Sequence, residues 1–403
     1  MAHVAEHPFV VVRGEGAYVF DEAGRRYLDG TASLWYANIG YGRSEVADAV
    51  ARQMETLHAY HLFVDFATPP ALELADLIAS LAPLEGSKVF LTSGGSDAVD
   101  TAAKLARRYF HEIGQPERTV LIAREWAYHG MHGFGTSLGG MEPNRFGYGP
   151  LIEDVVLVPH DDPEAVEKAI DHVGAERVAA MICEPVIGAG GVRPAPEGYL
   201  PSVREAVRRA GALFVADEVI TGFGRCGDWF ASTRFDLEPD IITFAKGVTA
   251  GYLPLGGVIA APHIAAPFFE RPGVIWRHGY TYSGHTAACV AALVVLDIIE
   301  REGILERAHE LEGELMAALA PLSDLEGVDH IRGGVGALAA VQLTADDPTR
   351  AGSTASACRE AGVITRAMGG GALQVSPPLI LTTEQVDELA IGLRRGIEAS
   401  TAP

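Results

Sequence analysis

The sequence predicts an α/β fold: a large domain on a mainly parallel seven-stranded sheet, plus a smaller α+β domain assembled from both chain ends. Three observations carry that expectation. Seven short apolar runs, bounded by turn residues, recur between residues 88 and 260. Segments with helical spacing lie between several of them, and strands alternating with helices imply parallel pairing with both faces covered. A chain of 403 residues also exceeds what one hydrophobic core ordinarily serves.

Residues 1–50 contain FVVVRGEGAYVFDEAGRRYLDG, a small hairpin region assigned to the N-terminal part of the small domain. Residues 51–290 are assigned to the large domain. Its strands are read in KVFLTSGG, TVLIAREW, VVLVPHD, VAAMICEP, ALFVADEV, DIITFAKG and GGVIAAP. Such short, continuously apolar runs suit strands buried on both faces. Helices are read in DAVDTAAKLARRYF, EAVEKAIDHV and LPSVREAVRRAG. Residues 291–403 supply the C-terminal part of the small domain. They follow a long helical pattern, AALVVLDIIEREGILERAHELEGELMAALAPL, with shorter strand-like and helical pieces.

Composition narrows the function classes. A formal net charge of −22 argues against nucleic acid, since a binder of phosphate backbones needs a basic face. No apolar run reaches the roughly 18 residues of a membrane span. The opening MAHVAEHPFVVVRGEG lacks the basic start and apolar core of a secretory signal, so a cytoplasmic protein is expected. Cys183, Cys226, Cys289 and Cys358 are scattered without C-x-x-C spacing. They read as reduced core thiols rather than disulfides or metal ligands.

In a parallel sheet, ligands sit outside the carboxyl ends of the strands. Asp217 ends ALFVAD and Lys246 closely follows DIITF. Lysine is scarce: only Lys88, Lys104, Lys168 and Lys246 are present. An acid and an amine at neighbouring strand ends read either as a structural ion pair or as a cofactor clamp. In the second case lysine forms an imine with an aldehyde and aspartate faces a pyridinium nitrogen. A third site bears on the choice. KVFLTSGGSDAVDTAAKLARRYF is a strand, a Gly-Gly turn and a helix, with Ser96 or Asp97 placed to cap it and free first-turn N–H groups suited to a phosphate. Tyr128 and His129 follow another strand, where an aromatic ring stacks on a flat cofactor or simply packs.

These segments, with ICEPVIGAGGVRPAPEGYL, LFVADEVITGFGRCGDWF, PDIITFAKGVTAGYLPLGGV and GYTYSGH, resemble in order and spacing the class III aminotransferases of pyridoxal-5′-phosphate (PLP) fold type I. The resemblance covers nearly the whole chain. It implies that Lys246 holds PLP as an internal aldimine and that Asp217 pairs with the pyridine nitrogen, with Val219 under the ring. Gly94, Gly95 and Ser96 match the phosphate turn and Tyr128 the stacking aromatic beside His129. Glu184 matches an acid close to the cofactor. Tyr280 and Thr281 match a segment that reaches the phosphate of the neighbouring subunit, implying a homodimer. The turn departs from the family in reading Ser93-Gly94-Gly95-Ser96 where Asn-Ser-Gly-Ser is common, and in carrying Val99 where Asn is common.

DGTASLWYANIGYGR and VITRAMGGGALQVSPPLIL are similar to the pyruvate-dependent ω-amino acid and amine transaminases. There the Leu34–Trp35 pair lines the substrate pocket, and an arginine at Arg366 binds the oxo-acid carboxylate and swings out for apolar amines. Tyr36 and Phe63 are expected to extend the apolar wall, and Gly369–Gly371 to form a hinge. The resemblance implies ping-pong transamination from an ω-amino acid, diamine or primary amine to an oxo acid, pyruvate first, by way of pyridoxamine phosphate. A PLP-dependent decarboxylase, aminomutase or racemase is the alternative on the same scaffold, and a non-catalytic binding module the rival from another class.

Overall fold

The computed structural model describes residues 8–345, 347 and 349–401; the first residues of the stretch read for a secretory signal lie outside them. At the N-terminus β1 (Val11–Glu15), β2 (Tyr18–Asp21) and β3 (Arg26–Asp29) form an antiparallel meander. Next come β4 (Lys88–Thr92), β5 (Val120–Arg124), β6 (Val155–Val158) and β7 (Val178–Cys183). A two-stranded ribbon, β8 (Val186–Ile187) and β9 (Arg193–Pro194), precedes β10 (Leu213–Asp217), β11 (Ile241–Phe244) and β12 (Gly256–Ala260).

All seven apolar runs fall in one sheet, ordered β4-β12-β11-β10-β7-β5-β6. Only β12 runs against its neighbours. Strands such as β5, β7 and β10 are buried along their whole length, which requires apolar residues on both faces. Helices Gly95–Glu112 and Tyr199–Arg209 bury apolar stripes against the core. The fold is therefore the mainly parallel α/β sheet that the sequence predicts.

The C-terminal part contributes β13 (Val328–Val335), β14 (Leu338–Leu343), β15 (Val363–Ile364), β16 (Ala367–Met368) and β17 (Ala372–Val375). β15 pairs parallel with β3, Val363 opposite Leu28 and Ile364 opposite Asp29, so the two chain ends share a sheet. The long helical pattern differs from expectation. It breaks into helices Thr286–Arg301 and Ile304–Leu319 because Gly303 adopts φ +65°, a left-handed turn that glycine takes without a side-chain clash. The four cysteines are buried and unpaired. Among the described residues no helix is long and apolar enough to cross a membrane.

One buried cation ties the ends to the middle. Arg225 donates from Nη1 to the carbonyls of Ala337 and Pro377 and from Nη2 to Oδ1 of Asn38, and Asn38 Nδ2 donates back to the Phe223 carbonyl. Arg225→Ala leaves those acceptors unsatisfied inside the core and is expected to cost about 3–5 kcal/mol. A lowered midpoint of urea unfolding measures it.

Candidate active site

Parallel pairing brings Asp217, at the tip of β10, opposite Thr243 of β11, and Lys246 follows two residues beyond the end of β11. Both side chains open into a cavity of about 1070 Å³ at the carboxyl ends of the strands. Asp217 is buried but fully occupied. Its Oδ1 accepts from the Val219 N–H at 3.1 Å and from Thr243 Oγ1 at 3.0 Å. Its Oδ2 lies 2.6 Å from His129 Nδ1. An ionised carboxylate only accepts, so Nδ1 of His129 carries the proton. His129 Nε2 is buried without a partner.

Lys246 makes no hydrogen bond or ion pair with any described residue, and its backbone sits at φ +48°. Burial brings its amine down to about 8, with Arg366 pushing the same way against Asp217 and Glu184. Glu184 is buried and accepts the N–H of Tyr128 at Oε1 and of Gly188 at Oε2, both at 3.0 Å. Burial, reinforced by Asp217, pushes its carboxyl upward.

The turn beyond β4 enters the helix Gly95–Glu112 with Gly94 as its N-cap and no side-chain cap. The expectation that Ser96 or Asp97 caps it is therefore corrected. Asp97 stands in the first turn and its Oδ2 accepts the Ser93 N–H at 3.1 Å, while Ser96 Oγ accepts from the Met131 N–H at 3.2 Å. The N–H groups of Gly95, Ser96 and Asp97 accordingly have no intrahelical acceptor. Space is tight around the turn. A Cβ on Gly95 would stand 2.8 Å from Val219 Cγ1, and one on Gly130 would stand 2.6 Å from Ser96 Oγ.

Leu34, Trp35 and Arg366 line the same cavity as Gly95, Ser96, Tyr128, His129, Glu184, Asp217, Val219 and Lys246. The Arg366 guanidinium lies 4.6 Å from the centroid of the Trp35 ring, and Lys246 Nζ lies 5.7 Å from the same centroid. Arg366 forms no ion pair with a described residue, and its Nε is buried unpartnered. Among the described residues, the surface salt bridge that would give this arginine a purely structural role is absent.

Other expected residues fall elsewhere. Gly94 is not part of the cavity wall; it lies against Gly256, whose Cβ would come within 2.8 Å of the Gly94 carbonyl. The Tyr280 hydroxyl donates to the Asp97 carbonyl at 3.2 Å, on the helix rather than in the cavity, and Thr281 is exposed beside it. Tyr36 turns away from the cavity to meet Ser33 Oγ at 2.6 Å, and Phe63 lies over Gly279. Gly369–Gly371 form the turn between β16 and β17, with Gly370 at φ +76° and Gly371 at φ +81°.

Sequence reasoning missed Trp126 and Met141, which line the cavity facing this turn. Gly369 is small enough for both, since its Cβ would meet Met141 Sδ at 3.2 Å and Trp126 Cζ3 at 3.8 Å. The signal for Trp126 was its place just after a strand, next to Tyr128. Thr243 could have been found from its parallel register with Asp217.

A family model described as aminotransferase class-III matches residues 1–397. The putrescine–pyruvate aminotransferase of Pseudomonas aeruginosa is 39% identical to this chain, over 98% of the chain and 91% of that protein. The β-alanine–pyruvate aminotransferase of the same organism is 36% identical, over 95% and 90%. Among solved structures, an (S)-enantioselective omega-transaminase from Thermomicrobium roseum superposes with a TM-score of 0.95 at 37% identity, covering 98% of this chain and 94% of that one. An amine transaminase from an uncultivated Pseudomonas species, in its PLP-bound form, gives 0.95 at 37% identity, covering 99% and 97%.

The lowered amine of Lys246 sets a pH expectation. Aldehyde capture by the cofactor-free chain needs the neutral amine, so its rate should rise about tenfold per pH unit below the midpoint and level off above about 8. Arg366→Ala removes a cation that lowers this amine, so the midpoint should move upward. Stopped-flow absorbance after mixing with PLP reads both.

Proposed function

The chain belongs to the class III aminotransferases, PLP enzymes of fold type I, and we propose that it moves an amino group from an ω-amino acid, diamine or primary amine to pyruvate. One observation carries the reading. A buried amine with no polar partner among the described residues and an arginine with no ion-pair partner among them share one cavity and one aromatic ring. The names of the relatives, with putrescine or β-alanine as donor and pyruvate as acceptor, support the choice of substrates.

The residues fit PLP. Lys246 offers an amine for the aldehyde, Asp217 a carboxylate braced by three donors, and Gly95 and Ser96 a helix N-terminus on the cavity wall with N–H groups suited to the phosphate. Tyr128, Val219 and Glu184 line the same cavity and would flank the ring. When bound, PLP supplies an electron-accepting ring that eases ionisation of a C–H bond beside the substrate nitrogen. Asp217 would keep the ring nitrogen protonated, and His129 Nδ1, 2.6 Å from its Oδ2, holds Asp217 in place. Lys246 Nζ would be the group that takes the proton from the substrate carbon and hands it on, as general base and then acid. Its lowered proton affinity suits both tasks near neutral pH.

Arg366 offers a planar fork to the oxo-acid carboxylate. Stacking on Trp35 gives its charge a resting place when the substrate is an uncharged-tailed amine, and Leu34 with Trp35 forms the wall that such an amine meets. We further assign residues 1–50 and 291–403 to one small domain and 51–290 to the large one, a division in keeping with the β3–β15 pairing. A homodimer completes this reading, with Tyr280 and Thr281 serving the phosphate of the partner. The exposed Phe63, Val64 and Phe66, with Val64 99% exposed, provide apolar surface of the kind a subunit interface covers. Four buried thiols left unpaired favour a reducing compartment such as the cytoplasm.

A half-reaction experiment tests the function. Putrescine or β-alanine alone should discharge the visible absorbance of the PLP-loaded enzyme, and pyruvate should restore it. Lys246→Ala should abolish the cycle, and an absorbance that no amine discharges would refute transamination. Asp217→Ala should slow the amine half-reaction by about 10²–10³-fold, the loss typical of a removed electrostatic stabiliser.

A further inference from the structure

The loop that carries Trp35 is held in a conformation its residues do not favour. Ala32, Ser33 and Trp35 have φ of +46°, +57° and +63°, three left-handed non-glycine residues within four positions. Such backbone persists only where the surroundings over-determine it.

One carboxylate does so. Asp29, at the end of β3, is 2% exposed, and both of its oxygens are saturated by this loop and its support. Oδ1 accepts from the Thr31 N–H at 2.9 Å and from Thr31 Oγ1 at 2.6 Å. Oδ2 accepts from the Ser33 N–H at 2.7 Å and from the Tyr41 hydroxyl at 2.5 Å. Burial and the neighbouring Asp29 hold the Tyr41 phenol protonated, so it remains a donor.

The same loop is stitched to the strands around Arg366. Gly30 N–H donates to the Ile364 carbonyl and Ser376 N–H to the Gly30 carbonyl. Gln374 Nε2 donates to the Thr31 carbonyl at 3.3 Å, and Trp35 Nε1 donates to Ser376 Oγ at 3.2 Å. Asp29 thus braces the segment that carries Trp35, Ser376 holds the indole N–H, and the guanidinium of Arg366 lies over that ring.

We propose that Asp29 is a positioning residue for oxo-acid recognition: it sets the plane of the Trp35 ring and, through that ring, the aim of Arg366. Asp29 does not line the cavity, and the chain of contacts is Asp29, loop, indole, guanidinium. The proposal rests on Arg366 binding the carboxylate, as argued above.

The test is a double-mutant cycle on the holoenzyme, read as KM for pyruvate, rate of the amine half-reaction at saturating amine, and retained PLP absorbance. Asp29→Asn should raise KM for pyruvate about 10- to 100-fold. The saturated amine half-reaction should stay within about twofold and the absorbance should be kept. Tyr41→Phe, which removes a single hydrogen bond, should move KM in the same direction by less. In an Arg366→Ala background Asp29→Asn should add nothing, because both changes remove one function; independent effects would multiply.

An unchanged KM, a multiplied effect, or a parallel collapse of both half-reactions with loss of PLP would each overturn the proposal. If Asp29→Asn does not fold, the direction and non-additivity of Tyr41→Phe decide alone. Arg366→Ala that leaves KM for pyruvate unaltered would instead remove the reading of Arg366. Arg366→Ala that raises it while Asp29→Asn does not would remove only the role of Asp29.

Discussion

A carboxylate buried at the tip of a strand must be satisfied or it forfeits its charge. Asp217 meets that requirement with the His129 ring, the Thr243 hydroxyl and the Val219 N–H, and much of the site follows. His129 must present a protonated Nδ1, which fixes the loop after β5 and with it Tyr128. Val219 must turn its N–H back toward the carboxylate, which leaves its side chain pressed against Gly95 and leaves no room there for a larger residue. The register of β10 against β11 supplies Thr243. Lys246 then stands close to an anion whose lone pairs are already engaged. Burial of the amine outweighs the attraction of Asp217 and Glu184, and the amine falls to about 8 rather than rising.

The other side of the cavity is organised by cations. Lys246 and Arg366 both lie near one indole, and the electron-rich face of that ring is what makes their proximity tolerable in a partly buried space. An arginine with a carboxylate partner of its own would be held fast. Arg366 has an aromatic support instead, which holds the guanidinium without neutralising it and, among the described residues, leaves it without an ion-pair partner.

Much of this was legible in the sequence, and the reason is the parallel sheet. Strands buried on both faces are written as uninterrupted apolar runs, so all seven could be located, and the chemistry of such sheets gathers at their carboxyl ends. That placed Asp217 and Lys246 directly. Features set by tertiary context were harder to read. Local composition allowed Ser96 or Asp97 to cap the helix, whereas the Ser93 N–H and the Met131 N–H claim those side chains. The helical period continued through residues 302–303, and only the left-handed Gly303 divides it. Tyr36 and Phe63 looked as suited to a pocket wall as Trp35, but the twist of the loop after Asp29 sends Tyr36 to Ser33. Nothing in DGTASLWYANIGYGR marks Asp29 as the hub of that loop, because its role arises from backbone angles that a one-dimensional pattern does not carry.

The β3–β15 pairing has a consequence for how the protein comes into being on the ribosome. The indole that lines the cavity is translated in the first tenth of the chain, the amine and acid in the middle, and the guanidinium near the end. The strand that locks the first to the last, β15, begins at Val363. A nascent chain can assemble its large sheet while synthesis continues, but the cavity remains a half-built shell until the final segment leaves the exit tunnel. A chain cut short before Val363 would keep Asp217 and Lys246 but lack Arg366 and the strand that ties the N-terminal meander to the C-terminal part.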